Sequence, residues 1–111
     1  MQEDLPMPPP VPEPLAEALK LSERMSLLAG EAQWDQVRSL EEARRPLLQR
    51  CFPLHGDLPD PAATERQIRR ILELDRRVME LAGAARGEVQ EALRRMSQGR
   101  AAIQAYDRVG T

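Results

Sequence analysis

The stretch "RRILELDRRVMEL", Arg69–Leu81, decides the fold expected for this chain of 111 residues. Its apolar residues recur with the spacing of one helix face, and the pattern continues beyond it on both sides. Positions seven apart from 68 to 103 read Ile, Asp, Ala, Val, Met, Ile, and those from 71 to 106 read Ile, Val, Ala, Ala, Gly, Tyr. Because this is the period of a coiled-coil seam, we expect a long helix over residues 61–97.

Two alternatives describe where this helix begins. Asp60 can act as the N-cap with Pro61 at the first helical position, or Thr64 and Gln67 can form a capping box one turn later.

The segment "SQGR", centred on Gly99, predicts that the long helix ends near residue 97. A short fourth helix is then expected over about residues 100–108. Helices of this length are marginal in isolation, so it should form only if it docks on the others.

Two further amphipathic helices are predicted before the long one. "EPLAEALKLSERMSLLAG" predicts a helix over residues 14–29, with Gly30 as its left-handed stop. A second stripe predicts a helix over residues 33–52, with a kink at Pro46. The fold class expected is therefore all-α, an antiparallel bundle of three main helices and the short C-terminal one.

The N-terminal segment has a different composition. Six of the ten prolines fall in the first fourteen residues. Proline removes a backbone donor and restricts the residue before it. We therefore expect a disordered proline-rich arm over residues 1–12, followed by a single helical bundle domain over residues 13–111.

Charge and cysteine content exclude several classes of protein. The 16 basic and 18 acidic residues are interspersed, which argues against nucleic acid as a partner. No stretch approaches the roughly 20 apolar residues of a membrane span. The single cysteine, Cys51, rules out an intramolecular disulfide. We expect a cytosolic protein that does not bind membranes.

Few groups are available for catalysis or for a cofactor. The chain has one histidine, His55, and no phosphate-binding loop or metal-spaced cysteine pair. Cys51 lies on the apolar stripe of its helix and is better explained as a buried structural thiol than as a nucleophile. We therefore expect neither an enzyme nor a metal or cofactor site.

One charged pair interrupts the apolar stripes. Asp75 lies at a seam position of the long helix, and Arg44 lies on the apolar stripe of the helix before it. Either residue would be costly to bury alone. We predict that the two form a partly buried ion pair that fixes the register of the two helices; the alternative is that the helices rotate enough to solvate both.

Trp34 is the only tryptophan and lies in "GEAQWDQV", Gly30–Val37, at the predicted corner between the first two helices. A large rigid side chain there can pack between the end of one helix and the start of the next. We therefore expect Trp34 to staple the hairpin, with ligand stacking as the alternative role.

Three stretches together resemble the FliT-type flagellar export chaperones. They are "MSLLAGEAQWDQVRSLEEARRPLL", "IRRILELDRRVMEL" and "GRAAIQAY". The shared features are a small-residue corner, a Trp-Asp pair opening the second helix, a Leu-x-x-x-Arg-x-x-Leu-Leu run, an aspartate in the apolar pattern of the third helix, and a tyrosine near the end. The likeness covers roughly residues 21–106.

The resemblance implies a cytosolic chaperone that binds the filament cap protein before secretion and prevents its premature assembly. It also implies delivery of the cap protein to the type III export apparatus and its ATPase. Some members bind the flagellar master transcriptional regulator and so lower late flagellar gene expression.

The surface that would bind such partners is predicted as an apolar groove. Its expected residues are Val37, Leu40, Leu72, Val78 and Met79; ordinary core packing is the alternative at each position. Ile103 and Tyr106 of the last helix are expected to act as a C-terminal lid over this groove. The protein is expected to be a monomer or a weak homodimer, and the alternative function is a coiled-coil scaffold in which the long helix pairs with its copy.

Overall fold

The computed structural model describes residues 11–54, 56 and 58–109 of the chain. Three α-helices make up most of these residues, namely α1 (Glu13–Gly30), α2 (Trp34–Cys51) and α3 (Pro61–Val109). No strand occurs within the described ranges. The all-α class is confirmed, and α1 and α2 begin and end within one residue of their predicted bounds.

The chain divides into two compact units, Met1–Met79 and Glu80–Thr111. Most of the proline-rich arm, residues 1–10, and His55 lie outside the described residues. The last two residues of the predicted arm are described: Val11 is buried, and the Pro12 carbonyl accepts hydrogen bonds from the Leu15 and Ala16 amides at 3.0 and 3.1 Å. Pro12 is therefore the N-cap of α1, and Val11 is buried just before it.

The corner after α1 is a Schellman motif. The Gln33 amide donates to the Leu28 carbonyl at 2.9 Å, and the Ala32 amide donates to the Ala29 carbonyl at 3.1 Å. Ala32 takes the left-handed position with φ of 59°, and none of the described glycines has positive φ. The prediction that Gly30 is the left-handed stop was therefore wrong, because Gly30 is still helical and the reversal falls two residues later.

Helix α3 begins at the first of the two predicted caps. The Asp60 carboxylate accepts a hydrogen bond from the Ala63 amide at 3.0 Å, and Pro61 is the first helical residue. The Thr64 hydroxyl is used differently, since it donates to the Asp60 carbonyl at 3.1 Å. Asp60 is therefore the N-cap residue, and its side chain accepts a hydrogen bond from a backbone amide of the first helical turn.

Helix α3 continues through Gly99 to Val109, so the prediction of a separate short helix over residues 100–108 was wrong. A glycine inside a helix costs only about 1 kcal/mol relative to alanine, which does not by itself end the helix. The turns before it are supported by ion pairs of Glu91 with Arg94 and Arg95, at 2.6 and 3.6 Å.

The core of the first unit takes side chains from all three helices. Helix α2 continues through Pro46 and ends at Cys51, and the Phe52–Pro53 peptide bond that follows is cis. Partly buried side chains pack around the fully buried centre of the core. The buried members are Leu15, Ala18, Cys51 and Ile71, and the partly buried ones are Leu19, Leu47, Leu48 and Ile68.

Candidate partner-binding surface

The predicted ion pair is present, and it belongs to a larger polar network. Arg44 Nη1 donates to Asp75 Oδ1 at 2.6 Å and to Ser22 Oγ at 2.8 Å. The Ser22 hydroxyl in turn donates to the Ala18 carbonyl at 2.8 Å. One guanidinium thus connects α1, α2 and α3. Ser22 was not predicted, although a serine among the apolar positions of α1 is a signal that the sequence carries.

The two charges lie at different depths. The Arg44 side chain is 10% exposed, whereas that of Asp75 is 33% exposed. Arg44 Nε is buried without a hydrogen-bond partner among the described residues. The cation is therefore the member that depends on its neighbours, while the carboxylate also reaches solvent.

Asp75 also lines a pocket with a volume of about 130 Å³, whose exposed walls are almost wholly apolar. We call it the apolar pocket. Its two most exposed residues are Phe52 and Leu72, at 45% and 60% exposure. The remaining lining residues come from all three helices and are Leu15, Leu48, Ile68 and Ile71.

The five residues predicted to form a groove have different environments. Val37 is buried, and Leu40 and Val78 are half-buried. Leu72 lines the apolar pocket, and Met79, seven residues further along α3, is 72% exposed. Residues seven apart lie on the same helix face. Of the five predicted residues, Leu72 and Met79 therefore expose apolar side chains on one face of α3. Phe52, which was not predicted, adds to this exposed apolar surface.

A second depression, of about 490 Å³, lies between the end of α1 and α3. Exposed Leu27 is one of its lining residues, but much of its wall is charged. The charged lining residues are Glu31, Arg70, Glu73 and Arg77. This depression differs from the apolar pocket in having both signs of charge at its surface.

In the second unit, Ile103 and Tyr106, the residues expected to act as a lid, are exposed. They share this exposure with other apolar residues at helical spacing, namely Val89, Leu93 and Met96. Together these five residues form an exposed apolar stripe on the part of α3 within Glu80–Thr111.

Cys51 has the environment expected of a structural thiol. It is buried in the core, and its Sγ donates to the Leu47 carbonyl at 3.1 Å. Burial raises the pKa of the Cys51 thiol above its ordinary value, and Arg50 opposes this shift. The thiol is therefore protonated at neutral pH, which disfavours nucleophilic chemistry.

Trp34 is half-buried and is the first residue of α2. The residue before it, Gln33, makes no side-chain capping bond, although its backbone amide closes the α1 corner. Trp34 therefore lies at the corner between α1 and α2. Its packing between the two helices stays a prediction.

Two kinds of feature are absent from the described part of the chain. No group of three His, Cys, Asp or Glu side chains there is placed to hold a metal ion. None of the described helices combines the length and the apolar character needed to cross a membrane.

Comparison with known proteins identifies one family. The model of the family described as "Flagellar protein FliT" matches residues 12–108. The search of curated proteins and the search of solved structures gave no match. The family match includes all three helices apart from the last residue of α3. The chain therefore belongs to the FliT family of flagellar export chaperones.

Proposed function

We propose that this protein binds the flagellar filament cap protein in the cytosol and holds it in an export-competent state. In this role it shields the C-terminal segment of the cap protein from premature assembly and delivers it to the export apparatus and its ATPase. Membership of the FliT family supports the chaperone role. The observation that carries the choice of surface is the apolar pocket with Phe52 and Leu72 exposed at its edge.

Two exposed apolar side chains of the first unit are gathered at one site. Single exposed apolar side chains are normal on a protein surface. Here, however, exposed Phe52 and Leu72 both line one concave apolar site, and Met79 lies further along the same face of α3. A concave apolar surface of this kind is suited to the apolar face of an amphipathic partner helix. Methionine adapts to differently shaped partners, which suits a chaperone surface.

Binding to the cap protein of the same genome tests this proposal. Purified protein should form a 1:1 complex with full-length cap protein in calorimetry and size-exclusion chromatography. A cap protein that lacks its C-terminal segment should not bind, whereas removal of an equally long N-terminal segment should leave the affinity unchanged. Absence of binding to full-length cap protein would contradict the proposal.

A second partner is the flagellar master transcriptional regulator. We propose that it competes with the cap protein, so that release of the cap protein by export frees the chaperone to lower late flagellar gene expression. Adding cap protein to a preformed complex should then displace the regulator. Simultaneous binding of both would contradict this competition.

The C-terminal part of α3 is proposed to regulate cargo binding. If Ile103 and Tyr106 act as a lid, deletion of residues 99–111 should tighten binding of the cap protein. The helical content of the remaining chain, measured by circular dichroism, is the control for folding. Unchanged affinity in a folded truncation would refute the lid.

A scaffold function is the second candidate, favoured by the exposed apolar stripe on Glu80–Thr111. In that case the long helix would pair with its copy, and sedimentation would show a dimer that persists on dilution. Met96→Lys and Ile103→Lys should then dissociate it. A monomer at all concentrations would exclude the scaffold.

A further inference from the structure

We infer that the apolar pocket takes one uncharged apolar side chain, between leucine and phenylalanine in size, from a helix of the exported partner. The inference rests on the proposed function for the identity of the partner. The chemistry of the inserted side chain comes from the pocket itself.

The volume of the pocket sets the size of its occupant. The pocket has a volume of about 130 Å³. An apolar protein cavity of about 150 Å³ holds one benzene molecule. The apolar pocket has a similar volume and opens to solvent at its edge, so its occupant is one side chain of about the size of an isobutyl or phenyl group.

The charge balance of the pocket sets the polarity of its occupant. Among the described residues, Asp75 is the only charged one in the lining, and its carboxylate already accepts a 2.6 Å hydrogen bond from the Arg44 guanidinium. Because the two charges compensate each other, the pocket has no net charge to attract a cationic or anionic side chain. Desolvating an ionised group against the apolar wall would also be costly. An uncharged occupant is the one that fits.

The position of the pocket lets one inserted side chain contact both its buried walls and its exposed edge. The deeper walls, from Leu15 and Ile71, are core residues whose side chains are buried. Phe52 and Leu72 form the edge and remain exposed to water. A partner that covers them would remove their apolar surface from water. An inserted side chain would thus complete the core and cover its exposed edge together.

Small aromatic probes test the chemistry without any protein partner. Benzene should shift the methyl NMR resonances of Ile68 and Ile71, while benzylammonium and benzoate at the same concentration should not. Leu72→Trp, which fills the pocket from its edge, should abolish the benzene shifts. Preferential binding of benzylammonium would overturn the inference, because it would mean that Asp75 acts as an uncompensated anion.

The same variant tests the role of the pocket in partner binding. Leu72→Trp should weaken binding of the cap protein at least tenfold, the effect expected from losing one buried apolar side chain. Leu27→Trp is the matched control: Leu27 is also an exposed leucine on a helix, but it lies outside the pocket. Its affinity should stay within twofold of that of the unmodified protein.

The outcomes separate this inference from the proposed function. If the cap protein binds but Leu72→Trp and Leu27→Trp have equal affinities, the pocket inference fails and the chaperone proposal stands. If the cap protein does not bind at all, the chaperone proposal fails, and the probe titration still decides whether the pocket accepts an uncharged apolar group.

Discussion

Replacing Asp75 with alanine should destabilise the protein more than replacing Arg44 with methionine. The reason is the group that each substitution leaves behind. Without Asp75, the Arg44 guanidinium remains in the interior with the Ser22 hydroxyl as its acceptor. Without Arg44, Asp75 retains a carboxylate that is one third exposed and can be hydrated.

The magnitudes follow from these depths. Removing one partner of a fully buried ion pair costs about 3–5 kcal/mol, whereas exposed pairs contribute only about 0–1 kcal/mol. Since Asp75 is partly exposed, we expect a loss near the lower end of the first range, about 3 kcal/mol, for Asp75→Ala. Arg44→Met should cost about 1 kcal/mol, because methionine replaces the apolar stem and also removes the unpartnered Nε.

Urea unfolding followed by circular dichroism at 222 nm measures both losses. Arg45→Met is the matched control, because Arg45 is the neighbouring arginine and makes only a 3.8 Å ion pair with Glu41 at the exposed surface. Its free energy of unfolding should change by less than about 0.5 kcal/mol. The double variant Arg44→Met/Asp75→Leu should lie within about 1 kcal/mol of the unmodified protein.

The difference between the two single variants carries the test. Equal losses for Asp75→Ala and Arg44→Met, or a larger loss for Arg44→Met, would refute the reasoning from depth. Such a result would mean that the guanidinium is hydrated in solution and does not depend on Asp75 for its stabilisation.

Three further predictions concern the corner, the helix start and the buried thiol. Ala32→Gly should raise the free energy of unfolding by about 0.5–1 kcal/mol, because φ of 59° is strained for alanine; a loss of stability on urea unfolding would contradict this account. Asp60→Ala should lower the free energy of unfolding by about 1 kcal/mol, while Asp60→Asn, which keeps a capping oxygen, should lose less than half of that. Equal losses would show that the capping oxygen is not the source of the stabilisation. Burial raises the pKa of the Cys51 thiol, so the folded state binds this proton more tightly than the unfolded state does. This difference stabilises the folded state fully below pH 9.0, the ordinary pKa of the thiol. The stabilisation is lost as pH rises through the raised pKa. Unfolding measured between pH 8 and 11 should therefore show a steeper loss for the unmodified protein than for Cys51→Ala, and parallel curves would refute it.

The helices were predictable because their signals are local and repeated. The apolar spacing of α1 and α2 gave their bounds to within one residue, and Asp60 with Pro61 marked the start of α3. The positions of Arg44 and Asp75 were also readable, because charged residues at apolar positions of neighbouring helices need a partner. Such features depend on residue types at fixed spacing along one or two helices.

The left-handed position after α1 was predicted incorrectly because glycine is only a statistical signal for that position. The Schellman geometry requires that position after the last helical turn, and here the turn extends far enough to place Ala32 there. The break expected at Gly99 failed for a related reason, since a helical glycine has a small energetic cost that neighbouring turns can offset. In both cases tertiary or local context outweighed a weak preference.

The apolar pocket was not predictable from spacing, because its walls come from three helices and from Phe52 beyond the end of α2. Helical periodicity tells which residues share a face of one helix, but it does not give the angle or the axial shift between two helices. Leu72 was identified as a surface candidate from its own helix, whereas its neighbours Leu48 and Phe52 required the packed structure.

The polar network and the apolar pocket share one residue, so the proposed partner binding would be coupled to stability. Asp75 holds Arg44 through Oδ1 and also forms part of the pocket wall. Arg44 in turn contacts Ser22 on α1, so the three helices that supply the pocket are held in register by the same guanidinium. A partner side chain that enters the pocket would further exclude water from the ion pair and strengthen it. Binding at the proposed site should therefore favour the arrangement of α1, α2 and α3 that the network already selects.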